Sequence, residues 1–186
     1  MILYIHGFAS TGKSHKGRIL QHYFGADQVL CPTQPISPDE AITFLEQIIL
    51  TCKEPLLLIG SSLGGYYGAY LARKYTLPCV LINPSIHPYT TLSPYIGTLS
   101  RYGSKETFEW RKEDIEALKR YKITQEQQDL FLLLQQKGDE VLDYKEALFA
   151  FYDAAMLLLE GGSHQFDGFE KYCHVIKDFY NLKCNL

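Results

Sequence analysis

The chain alternates short, uninterrupted apolar runs with segments in which apolar residues recur every three or four positions. Uninterrupted runs are typical of strands buried on both faces of a parallel sheet, and helical spacing is typical of the helices that cover it. Predicted strands occupy residues 1–6, 28–31, 56–59, 79–82, 130–134 and 156–159. Predicted helices occupy residues 16–24, 38–52, 63–75, 112–121, 144–152 and 169–180, with Ser37 expected to cap the second. This alternation predicts an α/β fold with a mostly parallel sheet and helices on both faces.

The alternation lapses between Pro84 and Tyr121, where Pro, Ser, Thr, Tyr and Gly precede a charged helical stretch. We predict a single domain over residues 1–186, with residues 84–121 as a cap-like insertion. Trp110 and the other large apolar side chains of the insertion either cover a site or complete the core of a small domain. The pattern leaves both roles open.

Composition narrows the possible partners and cofactors. The 186 residues are 46% hydrophobic and carry a net charge of -3 without a block of like charges, so we expect neither a nucleic-acid partner nor membrane association. No apolar run approaches the roughly 20 residues of a membrane span, and Met1 leads directly into a strand, which predicts a cytoplasmic protein. The five cysteines are scattered without a CxxC pair. We therefore expect neither a disulfide framework nor a metal site such as a zinc site.

An apolar strand ends at residues 60–64 in Gly-Ser-Ser-Leu-Gly, and a predicted helix follows at once. A Gly-x-Ser-x-Gly turn in this position is typical of a nucleophile elbow, which holds a serine hydroxyl at the tip of a sharp turn. Ser62 is therefore the candidate nucleophile. The same five residues also occur in ordinary turns, so the interpretation depends on the residues that accompany them.

Those residues follow the other strands of the predicted sheet. Asp139 follows the strand at 130–134, and His164 lies in a glycine-bearing loop after the last strand. The carboxyl ends of parallel strands share one edge of a sheet, and the order Ser62, Asp139, His164 is that of the α/β-hydrolase triad. Histidine can take the serine proton and return it to a leaving group, while the carboxylate orients the imidazole. Asp143 is an alternative acid.

Acyl transfer also requires N–H donors for the negative charge of a tetrahedral intermediate. We predict the backbone N–H groups of Phe8 and Leu63 as this oxyanion hole. The candidates for substrate binding are His6, Gly7, Asn83 and Trp110. His6 is also a candidate for bracing the loop that follows the first strand.

Residues 7–14, Gly-Phe-Ala-Ser-Thr-Gly-Lys-Ser, match the phosphate-binding pattern GxxxxGK[ST] and favour a nucleotide-binding protein as the alternative. A nucleotide triphosphatase also needs an apolar strand that ends in a magnesium-binding aspartate, and none of the predicted strands ends in one. Calorimetry with ATP or GTP would distinguish the two hypotheses. A third hypothesis, a hydrolase fold used only for binding, predicts that a fluorophosphonate does not label Ser62.

Five blocks of sequence together resemble the YqiA/YcfP-like esterases, a family of small bacterial α/β-hydrolases. The blocks are Tyr-Ile-His-Gly-Phe at 4–8, Gly-Ser-Ser-Leu-Gly-Gly-Tyr-Tyr at 60–67, Leu-Ile-Asn-Pro at 81–84, Gly-Asp-Glu-Val-Leu-Asp-Tyr at 138–144 and Gly-Gly-Ser-His-Gln-Phe at 161–166. The resemblance covers essentially the whole chain. It implies a compact α/β-hydrolase fold and hydrolysis of carboxylic esters, including acyl thioesters. It also implies a triad of Ser62, Asp139 and His164, with a small acyl ester as substrate and no cofactor.

Overall fold

A six-stranded sheet forms the centre of the molecule, which a computed structural model describes over residues 1–184. Its strands are β1 (Ile2–Ile5), β2 (Val29–Leu30), β3 (Leu57–Ser61), β4 (Cys79–Ile82), β7 (Phe131–Gln136) and β8 (Ala155–Leu159). A separate hairpin contains β5 (Gly97–Ser100) and β6 (Thr107–Trp110). The α-helices are α1 (His15–Phe24), α2 (Pro38–Thr51), α3 (Leu63–Tyr75), α4 (Pro88–Thr91), α5 (Lys112–Leu118), α6 (Tyr144–Ala150) and α7 (Cys173–Cys184).

The strands of the main sheet lie in the order β2-β1-β3-β4-β7-β8, and every neighbouring pair is parallel. The predicted parallel sheet is therefore confirmed. Its carboxyl edge carries the residues that follow Ile5, Ser61, Ile82, Gln136 and Leu159. These are the segments from which the sequence predicted the site.

Successive residues of each strand contribute to two different hydrophobic layers, as the pleat requires. Leu58, Leu81 and Leu133 pack in the layer that contains the buried faces of α2, α3, α5 and α6. Ile59 and Val80 pack in the opposite layer, beneath α1 and α7. Helices on both faces explain why the strands lack polar alternation.

The segment at residues 84–121 contains α4, the β5–β6 hairpin and α5. The predicted helix at 112–121 is confirmed in part, because α5 ends at Leu118 and a 3-10 turn continues to Tyr121. The hairpin was not predicted. Its strands are antiparallel and pair Leu99 with Phe108. Along each strand, exposed side chains alternate with side chains that are half-buried or buried.

The remaining differences lie at element ends. Ser37 occupies the N-cap of α2, but its side chain makes no capping hydrogen bond. The final helix begins as a 3-10 turn over Phe169–Tyr172 before α7. Over residues 1–184, none of the helices combines the length and the apolar character needed to cross a bilayer.

Candidate active site

Ser62 lies at the sharp turn between β3 and α3 and adopts φ 56° and ψ -121°. Non-glycine residues rarely adopt positive φ, and such strain persists only where the surroundings enforce it. A Cβ atom at Gly60 would lie 2.2 Å from the Gly64 carbonyl oxygen, and one at Gly64 would lie 2.0 Å from the Ile5 carbonyl oxygen. The two glycines therefore permit close packing of the turn against β1. The predicted elbow has the expected backbone geometry.

Ser62, His164 and Asp139 meet at the carboxyl edge of the sheet. The Ser62 Oγ lies 3.1 Å from His164 Nε2, and His164 Nδ1 lies 2.8 Å from Asp139 Oδ2. A carboxylate only accepts hydrogen bonds, so in the neutral imidazole the proton lies on Nδ1 and the Nε2 lone pair faces the serine hydroxyl. The structure thus brings together the three side chains that the sequence predicted, in an arrangement that can remove the serine proton.

The Asp139 carboxylate is held from both sides. Its side chain is fully buried, and its second oxygen accepts hydrogen bonds from the N–H groups of Val141 (2.9 Å) and Leu142 (2.8 Å). The alternative acid, Asp143, lies at the N-cap of α6, where it accepts a hydrogen bond from the Lys145 N–H. Asp143 therefore stabilises a helix end, and Asp139 is the acid that contacts His164.

Lys16 of α1 is buried near this carboxylate. Burial lowers the pKa of the Lys16 ammonium to about 8, and the negative charge of Asp139 acts in the opposite direction. Lys16 was not among the predicted site residues, because its spacing in α1 is that of an ordinary helical residue.

Asn83 does not face the substrate side as predicted. It is 1% exposed, and its amide donates to the main-chain oxygens of Ser163 (2.9 Å) and His164 (3.3 Å) while accepting from the Gln136 N–H (2.9 Å). These bonds connect the ends of β4 and β7 with the histidine loop. The prediction of substrate contact was wrong because every polar atom of the side chain is used within the fold.

Two more side chains hold the histidine loop and were missed by the sequence analysis. Gln136 accepts hydrogen bonds from the N–H groups of Ser163 (3.1 Å) and Asp167 (2.8 Å). Glu140 accepts one from the His164 N–H at 3.0 Å. The only local signal for Gln136 is a polar residue that closes an apolar strand.

The two predicted oxyanion donors lie on segments beside Ser62. Leu63 is the first residue of α3, so its N–H has no carbonyl partner within that helix. A Cβ atom built on Gly7 would lie 3.3 Å from Ser62 Cβ and 3.7 Å from its Oγ, so the loop that carries Phe8 passes close to the nucleophile. The backbone of Gly7 thus lies beside Ser62, and its contact with substrate stays a prediction.

His6 is buried behind this loop and is 2% exposed. Its Nδ1 donates to the Gly7 carbonyl oxygen at 2.9 Å. Burial lowers the pKa of the imidazole to about 4, and the nearby Arg101 adds to that effect, while the bond to Gly7 opposes it. His6 is therefore neutral near pH 7. Its burial supports the bracing role rather than the predicted substrate contact.

Trp110 is fully buried, and its indole N–H donates to the Leu92 carbonyl oxygen at 3.2 Å. The prediction that Trp110 binds substrate was wrong, because packing in the core removes it from solvent. Its ring instead contacts the Phe8 ring, with a centroid separation of 4.8 Å.

In the phosphate-like motif at residues 7–14, the second half, residues 11–14, makes hydrogen bonds within the protein. The N–H groups of Gly12 and Lys13 donate to the hydroxyls of Thr33 (3.0 Å) and Thr11 (3.3 Å), and the Ser14 N–H donates to the Thr11 carbonyl oxygen. The Ser14 hydroxyl caps α1 by accepting from the Gly17 N–H. A phosphate cradle needs these groups to be available, so the contacts argue against the nucleotide-binding alternative. Within residues 1–184, the structure contains no group of three or more His, Cys, Asp or Glu side chains that could hold a metal ion.

The parallel sheet, the strained serine turn and the order of the three side chains define an α/β-hydrolase fold. Solved structures agree: the chain is similar to mouse alpha/beta hydrolase domain-containing protein 10, at 15% identity and a TM-score of 0.69, over 98% of this chain and 90% of that one. It is also similar to a monoacylglycerol lipase of Paleococcus ferrophilus, at 16% identity and a TM-score of 0.70, over 96% of this chain and 93% of that one.

The chain belongs to the family described as "Uncharacterised protein family (UPF0227)", whose model matches residues 1–181. A UPF0227 protein of Vibrio parahaemolyticus is 27% identical over 190 residues, which cover 97% of this chain and 99% of the relative. The UPF0227 protein YcfP of Salmonella typhimurium is 25% identical over 191 residues, which cover 98% of this chain and 99% of the relative. The predicted membership of the YcfP-like family is confirmed.

Proposed function

We propose that this protein is a serine hydrolase that cleaves carboxylic esters through an acyl-enzyme. The observation that carries the proposal is the continuous contact from Asp139 through His164 to Ser62, with separations of 2.8 and 3.1 Å. These distances lie within the range that a nucleophile, its base and the orienting acid require. The half-buried position of Ser62 leaves its hydroxyl accessible to a small substrate.

The reaction proceeds in two halves. The Ser62 oxygen attacks the ester carbonyl while His164 takes the hydroxyl proton, and Asp139 stabilises the resulting imidazolium. The N–H groups of Phe8 and Leu63 bind the oxyanion of the tetrahedral intermediate. His164 then returns the proton to the departing alcohol. Water attacks the acyl-serine in the second half with His164 as base, which releases the acid and restores Ser62.

A small neutral acyl ester is the proposed substrate, and an acyl thioester would follow the same steps with a thiol as leaving group. The description of the Paleococcus structure as a monoacylglycerol lipase supports an ester bond as the target. Residues 84–121, inserted between β4 and β7, are proposed as a cap-like insertion. The large apolar side chains of that insertion favour uncharged acyl groups.

The test is hydrolysis of p-nitrophenyl esters of increasing acyl length. Ser62→Ala should lower kcat/KM by about a thousandfold or more, because within residues 1–184 the hydroxyl that contacts His164 Nε2 is that of Ser62. Ser61→Ala is the matched control, since Ser61 precedes the turn and is 5% exposed; it should retain most of the activity. Fluorophosphonate labelling of the wild type should add one adduct, located on Ser62 by mass spectrometry. An active Ser62→Ala variant with native circular dichroism would refute the proposal.

A further inference from the structure

The β5–β6 hairpin holds the side chain of Phe8, the proposed oxyanion donor. The Phe8 ring packs at the edge of the Phe108 ring, with a centroid distance of 5.9 Å and an angle of 89° between the ring planes. It also packs against Trp110, with a centroid distance of 4.8 Å and an interplanar angle of 62°. Edge-to-face contacts of this kind restrict the orientation of a ring as well as burying it. The side chain that follows Gly7 is thus fixed by a segment about one hundred residues away in the sequence.

The hairpin also holds the backbone of the next two residues. The Tyr102 N–H donates to the Ala9 carbonyl oxygen at 2.7 Å, and the Arg101 Nη1 donates to the Ser10 carbonyl oxygen at 2.9 Å. Ala9 has a φ of 54°, which a residue with a Cβ rarely adopts without external support. Residues 7–10, here named the Phe8 loop, are therefore held in a strained conformation by contacts outside the loop.

Arg101 is the centre of this arrangement and is 6% exposed. Its Nη2 donates to the Gln34 carbonyl oxygen at 3.2 Å, and the Gln34 amide donates to the His6 carbonyl oxygen at 2.8 Å. Its Nε lies 3.2 Å from the carboxylate of Glu106. One guanidinium thus joins the hairpin to the segment before α2 and to the Ser10 end of the Phe8 loop, while Gln34 connects it indirectly to His6, which precedes the loop. The single ammonium of a lysine cannot reproduce this divergent geometry.

We propose that Arg101 is a positioning residue for ester hydrolysis, and that the β5–β6 hairpin is a brace that aligns the Phe8 N–H with the oxyanion. The inference rests on the proposed function of Ser62, His164 and Asp139. Oxyanion donors accelerate a reaction only when they are oriented before charge develops. A loosened Phe8 loop should therefore slow the chemical step and leave substrate affinity nearly unchanged.

The experiment compares Arg101→Met and Arg101→Lys with the wild type on a p-nitrophenyl ester. Arg101→Met should lower kcat by about 10- to 100-fold with KM within about threefold of the wild type. This loss is smaller than that of a whole oxyanion donor, because the Phe8 N–H is misaligned and not removed. The kcat of Arg101→Lys should lie between that of Arg101→Met and that of the wild type. Thr107→Ala is the matched control, because Thr107 lies on the exposed side of the same hairpin, and it should keep wild-type kcat.

Phe108→Ala provides a second variant if Arg101→Met does not fold, because it removes a half-buried ring from Phe8 without disturbing a buried charge. Phe108→Ala should also lower kcat and leave KM nearly unchanged. Hydrogen–deuterium exchange gives a readout that does not depend on activity. Exchange in the peptide that contains the Phe8 loop should become about tenfold faster in Arg101→Met and stay unchanged in Thr107→Ala, as expected for local opening.

Folded Arg101→Met and Phe108→Ala variants with wild-type kcat would overturn the inference and leave the proposed function intact. Unchanged exchange of the Phe8 loop in a folded Arg101→Met variant would overturn it as well. An inactive wild type would instead refute the proposed function.

Discussion

The side-chain amide of Asn83 donates to the main-chain oxygen of His164 at 3.3 Å, so the end of β4 directly supports the loop that carries the histidine. The same amide donates to the Ser163 oxygen at 2.9 Å, and the Asn83 Oδ1 accepts from the Gln136 N–H at 2.9 Å. A single buried side chain therefore links β4, β7 and the segment after β8. We therefore expect the distance between His164 and Ser62 to depend on this link.

Asn83→Asp should lower kcat by about 10- to 100-fold with little change in KM, an effect typical of small displacements of a catalytic group. The carboxylate keeps the acceptor for Gln136 but cannot donate to the oxygens of Ser163 and His164. Aspartate also tolerates the backbone φ of 40° found at this position, so the backbone is not the cause of the effect. Steady-state kinetics, with circular dichroism to confirm folding, test this expectation. Wild-type kcat in a folded variant would show that His164 is positioned by other contacts.

Asp139→Asn should lower kcat by about a thousand- to ten-thousandfold, because an amide presents an N–H or a weaker acceptor to His164 Nδ1 and favours the wrong tautomer. Asp143→Asn is the matched comparison. Asparagine also caps helices well, so that variant should retain activity close to the wild type and lose little stability. The kcat values of the two variants, measured with one p-nitrophenyl ester at saturating concentration, distinguish the roles of Asp139 and Asp143. Equal losses in both variants would contradict the assignment of Asp139 as the acid that orients His164.

The sheet and the meeting of Ser62, Asp139 and His164 could be predicted because they depend on features that are local in sequence. The strands are apolar runs; Ser62 follows β3 directly, and His164 lies in the short loop after β8. Parallel pairing then brings the strand ends to one edge, whatever the details of packing. The order of strands was not needed for that conclusion. For this reason the predicted residues met even where strand ends shifted by one or two positions.

The roles of Asn83 and Trp110 could not be predicted, because they depend on which buried partners surround each side chain. An asparagine after a strand can face solvent or bridge neighbouring loops, and only the tertiary packing decides between them. The β5–β6 hairpin was missed for a related reason. Its strands have only four residues each, and they pair with each other instead of with the main sheet. The apolar side of the hairpin is defined by contact with Phe8, which is distant in sequence.

The pH dependence of stability should contain a contribution from His6. Burial lowers the pKa of His6 in the folded protein to about 4, below the value of about 6.5 expected after unfolding. The unfolded chain therefore binds a proton between these two pH values while the native protein does not. The contribution to stability is fully present above pH 6.5 and is lost as the pH falls toward 4.

Between pH 7 and pH 5 the wild type should lose about 2 kcal/mol more unfolding free energy than His6→Asn, in which no imidazole is buried. The asparagine amide can still donate to the Gly7 oxygen, so the variant is expected to fold. Urea denaturation at both pH values measures the difference. His87→Asn is the control, because His87 is exposed and its replacement should preserve the wild-type pH dependence. If His6→Asn loses as much stability as the wild type over this range, His6 is not the group responsible.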